Sequence, residues 1–184
     1  EKGDFEARLI GRALFDGGVF FSDKTSLGNA VEVYDVRVGT VVRFLERWTG
    51  KIEMGFAKSK VSMKDIYIEY NDGKNVFKVG HYFEPFSLEY RIGTSDMKFN
   101  GAAVTGTAFG DRRRLGISYT YNCEVLNVSG GVFSDKDIDN TEKGDEGYAF
   151  SGRVLFRPYS KEKNVIHVGV SSRFGVQGEA EENK

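Results

Sequence analysis

Arginine is the residue through which this sequence could do chemistry. Arg8, Arg12, Arg37, Arg43, Lys51, Arg114, Arg153, Arg157 and Arg173 stand in segments whose alternate positions are apolar, so in extended chain they share the side opposite the apolar one. Glu6, Asp35, Glu53, Asp65 and Glu69 lie on the same faces and leave the cations in excess. A guanidinium is a planar fork that grips an oxyanion at two points, with contacts weak enough to exchange. Turned toward a water-filled lumen, such faces would concentrate small anions and repel cations. Turned toward bulk solvent, they would be no more than the wetted side of a soluble sheet.

A second pattern is acidic. Asp135, Asp137, Asp139 and Glu146 stand at positions one, three, five and twelve of a calcium-loop spacing, with Asn140 where glycine is usual. Calcium is the ion this spacing would take. Strand-like segments flank it, however, and acidic hairpin loops are commonly just solvated. Otherwise no cofactor is expected. Enzyme signatures are missing: there is no Gly-x-Ser-x-Gly elbow, no phosphate-cradling glycine loop and no His-Glu-x-x-His, and His81 and His167 stand far apart. The sequence is therefore not expected to be an enzyme.

The elements that must carry these side chains read as strands. Phe5, Ala7, Leu9, Gly11, Ala13 and Phe15 alternate with polar and mixed positions, and Tyr34, Val36, Val38, Thr40, Val42 and Phe44 do so more clearly. Further segments of period two run through Ile52–Phe56, Ile66–Tyr70, Phe77–Val79, Leu115–Tyr121, Leu126–Val132, Tyr148–Phe156 and Ile166–Phe174. Together they predict about nine strands. Asn71-Asp72-Gly73-Lys74 supplies a hairpin turn, because Asp-Gly accepts positive φ. Another turn is expected near Asn122–Glu124. Between Glu84 and Arg112 the alternation fails over a stretch much longer than an ordinary connection. Residues 1–178 read as one unit with one long loop at 84–112, and residues 179–184 as a frayed acidic tail.

Composition agrees. The 184 residues carry a net charge of −1, which gives no basis for attraction to nucleic acid. With 23 Gly, 15 Phe and 9 Tyr against 2 Pro, strands and tight turns are favoured over helices. Mean hydropathy is −0.40, and no apolar run approaches the roughly 20 residues of a spanning helix. A spanning β-barrel stays open, since its strands alternate lipid-facing and lumen-facing residues. Aromatics that end the apolar faces, such as Phe15, Phe44, Tyr70, Tyr121 and Phe156, suit the girdles of such a barrel and equally the core of a soluble one. Cys123 is alone and forms no internal disulfide.

The order Val61-Ser62-Met63-Lys64-Asp65-Ile66-Tyr67-Ile68-Glu69-Tyr70, then Val79-Gly80-His81-Tyr82-Phe83-Glu84-Pro85-Phe86-Ser87-Leu88-Glu89, then Gly93-Thr94-Ser95-Asp96-Met97-Lys98-Phe99 resembles the phosphate-selective porins of the O and P type. The resemblance is clearest from Val31 to Phe133. His81-Tyr82 replaces the usual Gln-Phe, and a single serine stands where two are usual. It implies a Gram-negative outer-membrane barrel, in full-length members of sixteen strands and commonly trimeric. It also implies that the segment after Glu84-Pro85-Phe86 folds inward to narrow the pore, where Arg91, Lys98, Arg112, Arg113 and Arg114 would meet anions. Phosphate as solute is implied by the resemblance alone. Glu84-Pro85-Phe86 itself is read as structural, since proline cannot donate to a strand ladder.

The expected fold is thus all-β: an antiparallel up-and-down transmembrane-type β-barrel, or part of one. About nine strands would be half a wall, so the sequence reads as an amino-terminal portion, or as a unit closing with eight or ten strands or through a second copy. The expected function is passive diffusion of small anions, phosphate-like, across the bacterial outer membrane, with outer-membrane lipid and homo-oligomeric copies as partners (a trimer for the full-length protein, a dimer for this portion). The alternatives are a small ligand-binding barrel, or a structural or adhesion barrel plugged by its own side chains.

Overall fold

The structure is a computed structural model that describes residues 5–21, 28–57, 60–87, 112–136, 138, 146–161, 164–176 and 178. Nine strands follow one another: β1 (Phe5–Gly18), β2 (Ala30–Phe44), β3 (Trp48–Gly55), β4 (Ser62–Asn71), β5 (Asn75–Phe83), β6 (Arg113–Asn122), β7 (Leu126–Ser134), β8 (Tyr148–Lys161) and β9 (Asn164–Val176). They form one antiparallel sheet in chain order. The all-β, up-and-down expectation and the count of nine therefore hold. Among the described residues β1 pairs only with β2 and β9 only with β8, so the sheet is open, as a partial barrel is. No helix among them is long and apolar enough to cross a membrane, which says nothing of crossing by strands.

The two faces differ in kind. Cross-strand partners place Leu9, Thr40, Ile52 and Ile66 in one row, continued on later strands by Val79 and Ile117 and by Val132 and Phe150. These side chains are open: Leu9 is 76% and Ile117 58% exposed. On the other face Ser118, Ser129 and Ser151 are buried, with Ser129 at 3%. A flat sheet one layer thick would expose both faces alike. Small polar groups hidden on one side and large apolar groups open on the other require the sheet to curl around its polar face. Glycine makes room for that curl. A side chain at Gly116 would collide with the Phe133 ring, and Gly80, at φ 135°, lies against the Ile66 carbonyl and the Tyr67 backbone.

The two rims also differ. At one, β2–β3, β4–β5 and β6–β7 are joined by tight turns and β8 and β9 are two residues apart in sequence, and at the other more residues separate consecutive strands. The Asn71–Lys74 hairpin forms as expected. Asp72 accepts from Lys74 N at 3.0 Å and from Asn75 N at 2.7 Å. The bonds from Asn75 above all hold its carboxyl below the usual carboxylate range. Cys123 N bonds Leu126 O at 2.8 Å in the other expected turn. Aromatics gather at the tight-turn rim. Phe44 stacks on Trp48 at 6.2 Å, Trp48 meets Tyr70 edge-on at 5.2 Å, and Phe77 meets Tyr119 at 4.8 Å. Arg47 donates to the Tyr70 hydroxyl at 3.1 Å, which raises the pKa of the guanidinium.

Three register shifts were not legible in the alternation. At Leu14/Phe15 the partner of Phe15 is Val33, so Val33 joins the apolar row and Tyr34 is the extra residue of a bulge. The others fall at Ile52/Met54 and Phe156/Tyr159.

Candidate lumenal site

The polar face is a charged wall. Arg12 donates to Asp35 at 2.5 and 2.9 Å, and Arg37 donates to the same carboxylate while approaching Glu53 at 3.7 Å. Lys51 bridges Glu53 at 3.3 Å and Asp65 at 2.7 Å, and Arg113 closes on Asp65 at 2.6 Å with its guanidinium 4.0 Å from the Phe83 ring centre. The result is a belt of alternating sign from β1 to β6. Lys51 pairs with Tyr67, so Asp65, two residues before Tyr67, lies diagonal to Lys51 on the same face, where Arg113 also reaches it. Closer to the tight-turn rim, Lys78 binds Glu69 at 2.6 Å and lies over the rings of Tyr67 and Tyr82.

A second group lies on β7 to β9. Arg173 donates to Glu84 at 3.1 Å and to Asp135 at 2.8 Å, and the Ser151 hydroxyl donates to Glu84. Arg153 is buried and donates to the Ser87 carbonyl at 3.5 Å. Between the two groups Tyr82 packs edge-on to Phe133 at 5.6 Å and donates to the Ser118 hydroxyl at 2.8 Å.

The expected anion-binding residues are thus distributed unequally. Arg12, Arg37, Lys51 and Arg173 are held by carboxylates, and Arg43 sits opposite Glu6 at 3.7 Å with both side chains largely exposed. Arg8 is exposed on β1. Arg114 and Arg157 meet no carboxylate among the described residues. The Nε of each is buried without a hydrogen-bond partner, and Arg157 spends another donor on the Cys123 carbonyl at 2.7 Å. Of the residues expected in the constriction, Arg91 and Lys98 lie outside the described residues. Arg112 adjoins β6, its carbonyl accepting from Glu84 N at 3.4 Å, and Arg113 is the first residue of β6 itself, a member of the wall. Of the calcium set, Asp137 and Asp139 lie outside the described residues. Asp135 is engaged by Arg173, and Glu146 accepts from Ser134. No group of three or more metal-capable side chains is present among the described residues.

Sequence reasoning passed over Glu84, Tyr82 and Phe133 as parts of this face. Glu84 stood inside a motif explained by its proline, and the two aromatics break the rule that aromatics point away from the polar side. An apolar groove of about 550 Å³, lined by Val42, Ile52, Ile66, Ile68 and Val79 among others, opens on the outer face.

This arrangement presents cations along a curved surface, with carboxylates fixing most of them in place.

Comparison with known proteins gives the same picture. The family model for phosphate-selective porin O and P matches residues 17–177. An uncharacterized protein of Caulobacter vibrioides is 28% identical over 186 residues, covering 94% of this chain and 37% of that protein. The chain thus spans little more than a third of that relative. No solved structure matches. With the family model spanning most of the chain, and an apolar outer and charged inner face beneath it, the chain belongs to the phosphate-selective porin O and P family.

Proposed function

We propose that the protein containing this chain is an outer-membrane porin that lets small anions, phosphate-like, diffuse passively through an arginine-lined lumen. The observation that carries the reading is the pairing of faces: one side apolar and open, as acyl tails require, and the other charged with cations in excess. Tight turns at one rim and longer connections at the other fit the periplasmic and outer ends of such a barrel. Family membership points to a channel and not to an enzyme. The free edges of β1 and β9 would be met by further strands, because lipid tolerates no open edge. The apolar exterior would contact lipid and neighbouring copies in a homo-oligomer.

A plugged barrel without transport is the less favoured reading. Its mark would be ion pairs filling the interior; Glu84 and Arg173 pair across it, whereas the longer belt from Arg12 to Arg113 runs along the wall between near neighbours.

The test is the natural full-length protein in a planar bilayer under a salt gradient. The expected result is discrete channels whose reversal potential reports anion preference, with phosphate reducing chloride current. Cation preference, or a folded protein that conducts nothing, would refute the proposal.

A further inference from the structure

Glu84 is an acid that is 2% exposed and stands outside any strand. Its partners are far away in sequence, Ser151 by 67 residues and Arg173 by 89. Glu84 N still bonds the Arg112 carbonyl beside β6, and since β6 and β7 separate β5 from β8 in the sheet, its side chain reaches β8 and β9 by crossing the hollow of the curled face, from which the chain then departs. We propose that Glu84 is the positioning residue that holds this crossing in place and thereby fixes the free cross-section of the pore. The inference rests on the porin reading above and deepens it.

The local chemistry is built for the task. Phe86 N donates to the Glu84 carbonyl at 2.9 Å, which folds the chain sharply as it leaves β5. The Glu84 carboxylate accepts from Ser151 Oγ and from Arg173 Nε, and Arg173 is steadied from its other side by Asp135. Arg153, two residues from Ser151 and on the same face, donates to the Ser87 carbonyl and fixes the far end of the turn. A proline at the strand end explains why the β5 ladder stops. It does not explain a buried carboxylate clasped by two strands that lie three and four places along the sheet. An unpaired carboxylate at this depth would be costly, so the crossing and the clasp require each other. A carboxylate serves here because the wall it lands on offers Arg173.

The experiment uses the natural full-length protein with Cys123→Ser, and compares Glu84, Glu84→Gln and Glu84→Ala on two readouts. Heat-modifiable gel mobility confirms folding for each. The first readout is unit conductance: Glu84→Ala is expected to raise it and add open-channel noise, while Glu84→Gln, which keeps an acceptor for Ser151 and Arg173, stays close to the parent. The second readout is labelling of Ser87→Cys by a water-soluble maleimide, expected to run about tenfold faster with Glu84→Ala than with Glu84 as charged hydrogen bonds are lost. Equal labelling rates would overturn the clasp whether or not the parent conducts. Absence of conductance in the parent would count against the porin reading alone. Unchanged conductance alongside faster labelling would overturn the claim that the clasp sets the cross-section. Should Glu84→Ala fail to fold, Ser151→Ala and Arg173→Gln each remove one partner, and no change in either readout from both would equally overturn the proposal.

Discussion

Replacing Ile117 with arginine is expected to lower the stability of the folded, membrane-inserted protein by about 2–4 kcal/mol, the cost of a cation on the lipid face near the bilayer midplane. Ile117 lies in the middle of β6, 58% exposed, between Val79 on β5 and Val132 on β7. Arginine there finds neither water nor a carboxylate. The same substitution three residues on, at Thr120, points into the polar face, where the main loss is the hydroxyl bond to Ser129 at 3.1 Å, on the order of 1 kcal/mol. Denaturant titration of the protein refolded into bilayers, followed by heat-modifiable mobility, measures both. Equal costs at the two positions would mean that the faces of β6 do not differ in environment.

The second large effect concerns selectivity. Arg114 and Arg157 face the hollow without a carboxylate among the described residues, so their charge is not offset locally. Two unit charges 4 Å apart in water interact by about 1 kcal/mol, roughly a fivefold change in local anion occupancy for each unit of charge removed. Arg114→Glu combined with Arg157→Glu is expected to reduce the anion-to-cation permeability ratio several-fold, more at low salt than at high, because a Debye length of about 10 Å at 0.1 M screens the remainder. Reversal potentials under a potassium chloride gradient give the ratio directly. Lys60→Glu, outside the strands, serves as the control expected to change it little. A double variant with the parent's ratio would show that these guanidiniums do not govern permeation.

Much of this architecture was legible in the alternation of residues. A period of two over segments rich in Val, Ile and Phe dictates strands, and a face that is apolar from Leu9 to Val170 dictates a sheet with one greasy side. That Arg37 and Arg153 lie on the polar face of the sheet followed from the same parity. What alternation does not carry is register. The clasp of Asp65 by both Lys51 and Arg113 depends on which residues stand side by side on β3, β4 and β6, and alternation within one strand does not fix that. Asp135 read as the first ligand of a calcium loop because its partner, Arg173, is 38 residues away and meets it only once β7, β8 and β9 are in line. Arg113 read as loop because the apolar row of β6 starts at Leu115. Glu84 was hidden for another reason: Pro85 already gave its motif a sufficient explanation.

The central claim is that the apolar row faces acyl chains and the charged row faces water. Single cysteines placed in turn from Leu115 to Tyr121 in the Cys123→Ser background, each labelled with a fluorophore in bilayers, test it most directly. Quenching by bromine on the acyl chains should peak at 115, 117, 119 and 121, and quenching by aqueous iodide at 116, 118 and 120. Iodide quenching at every position, or the two periods exchanged, would contradict the account.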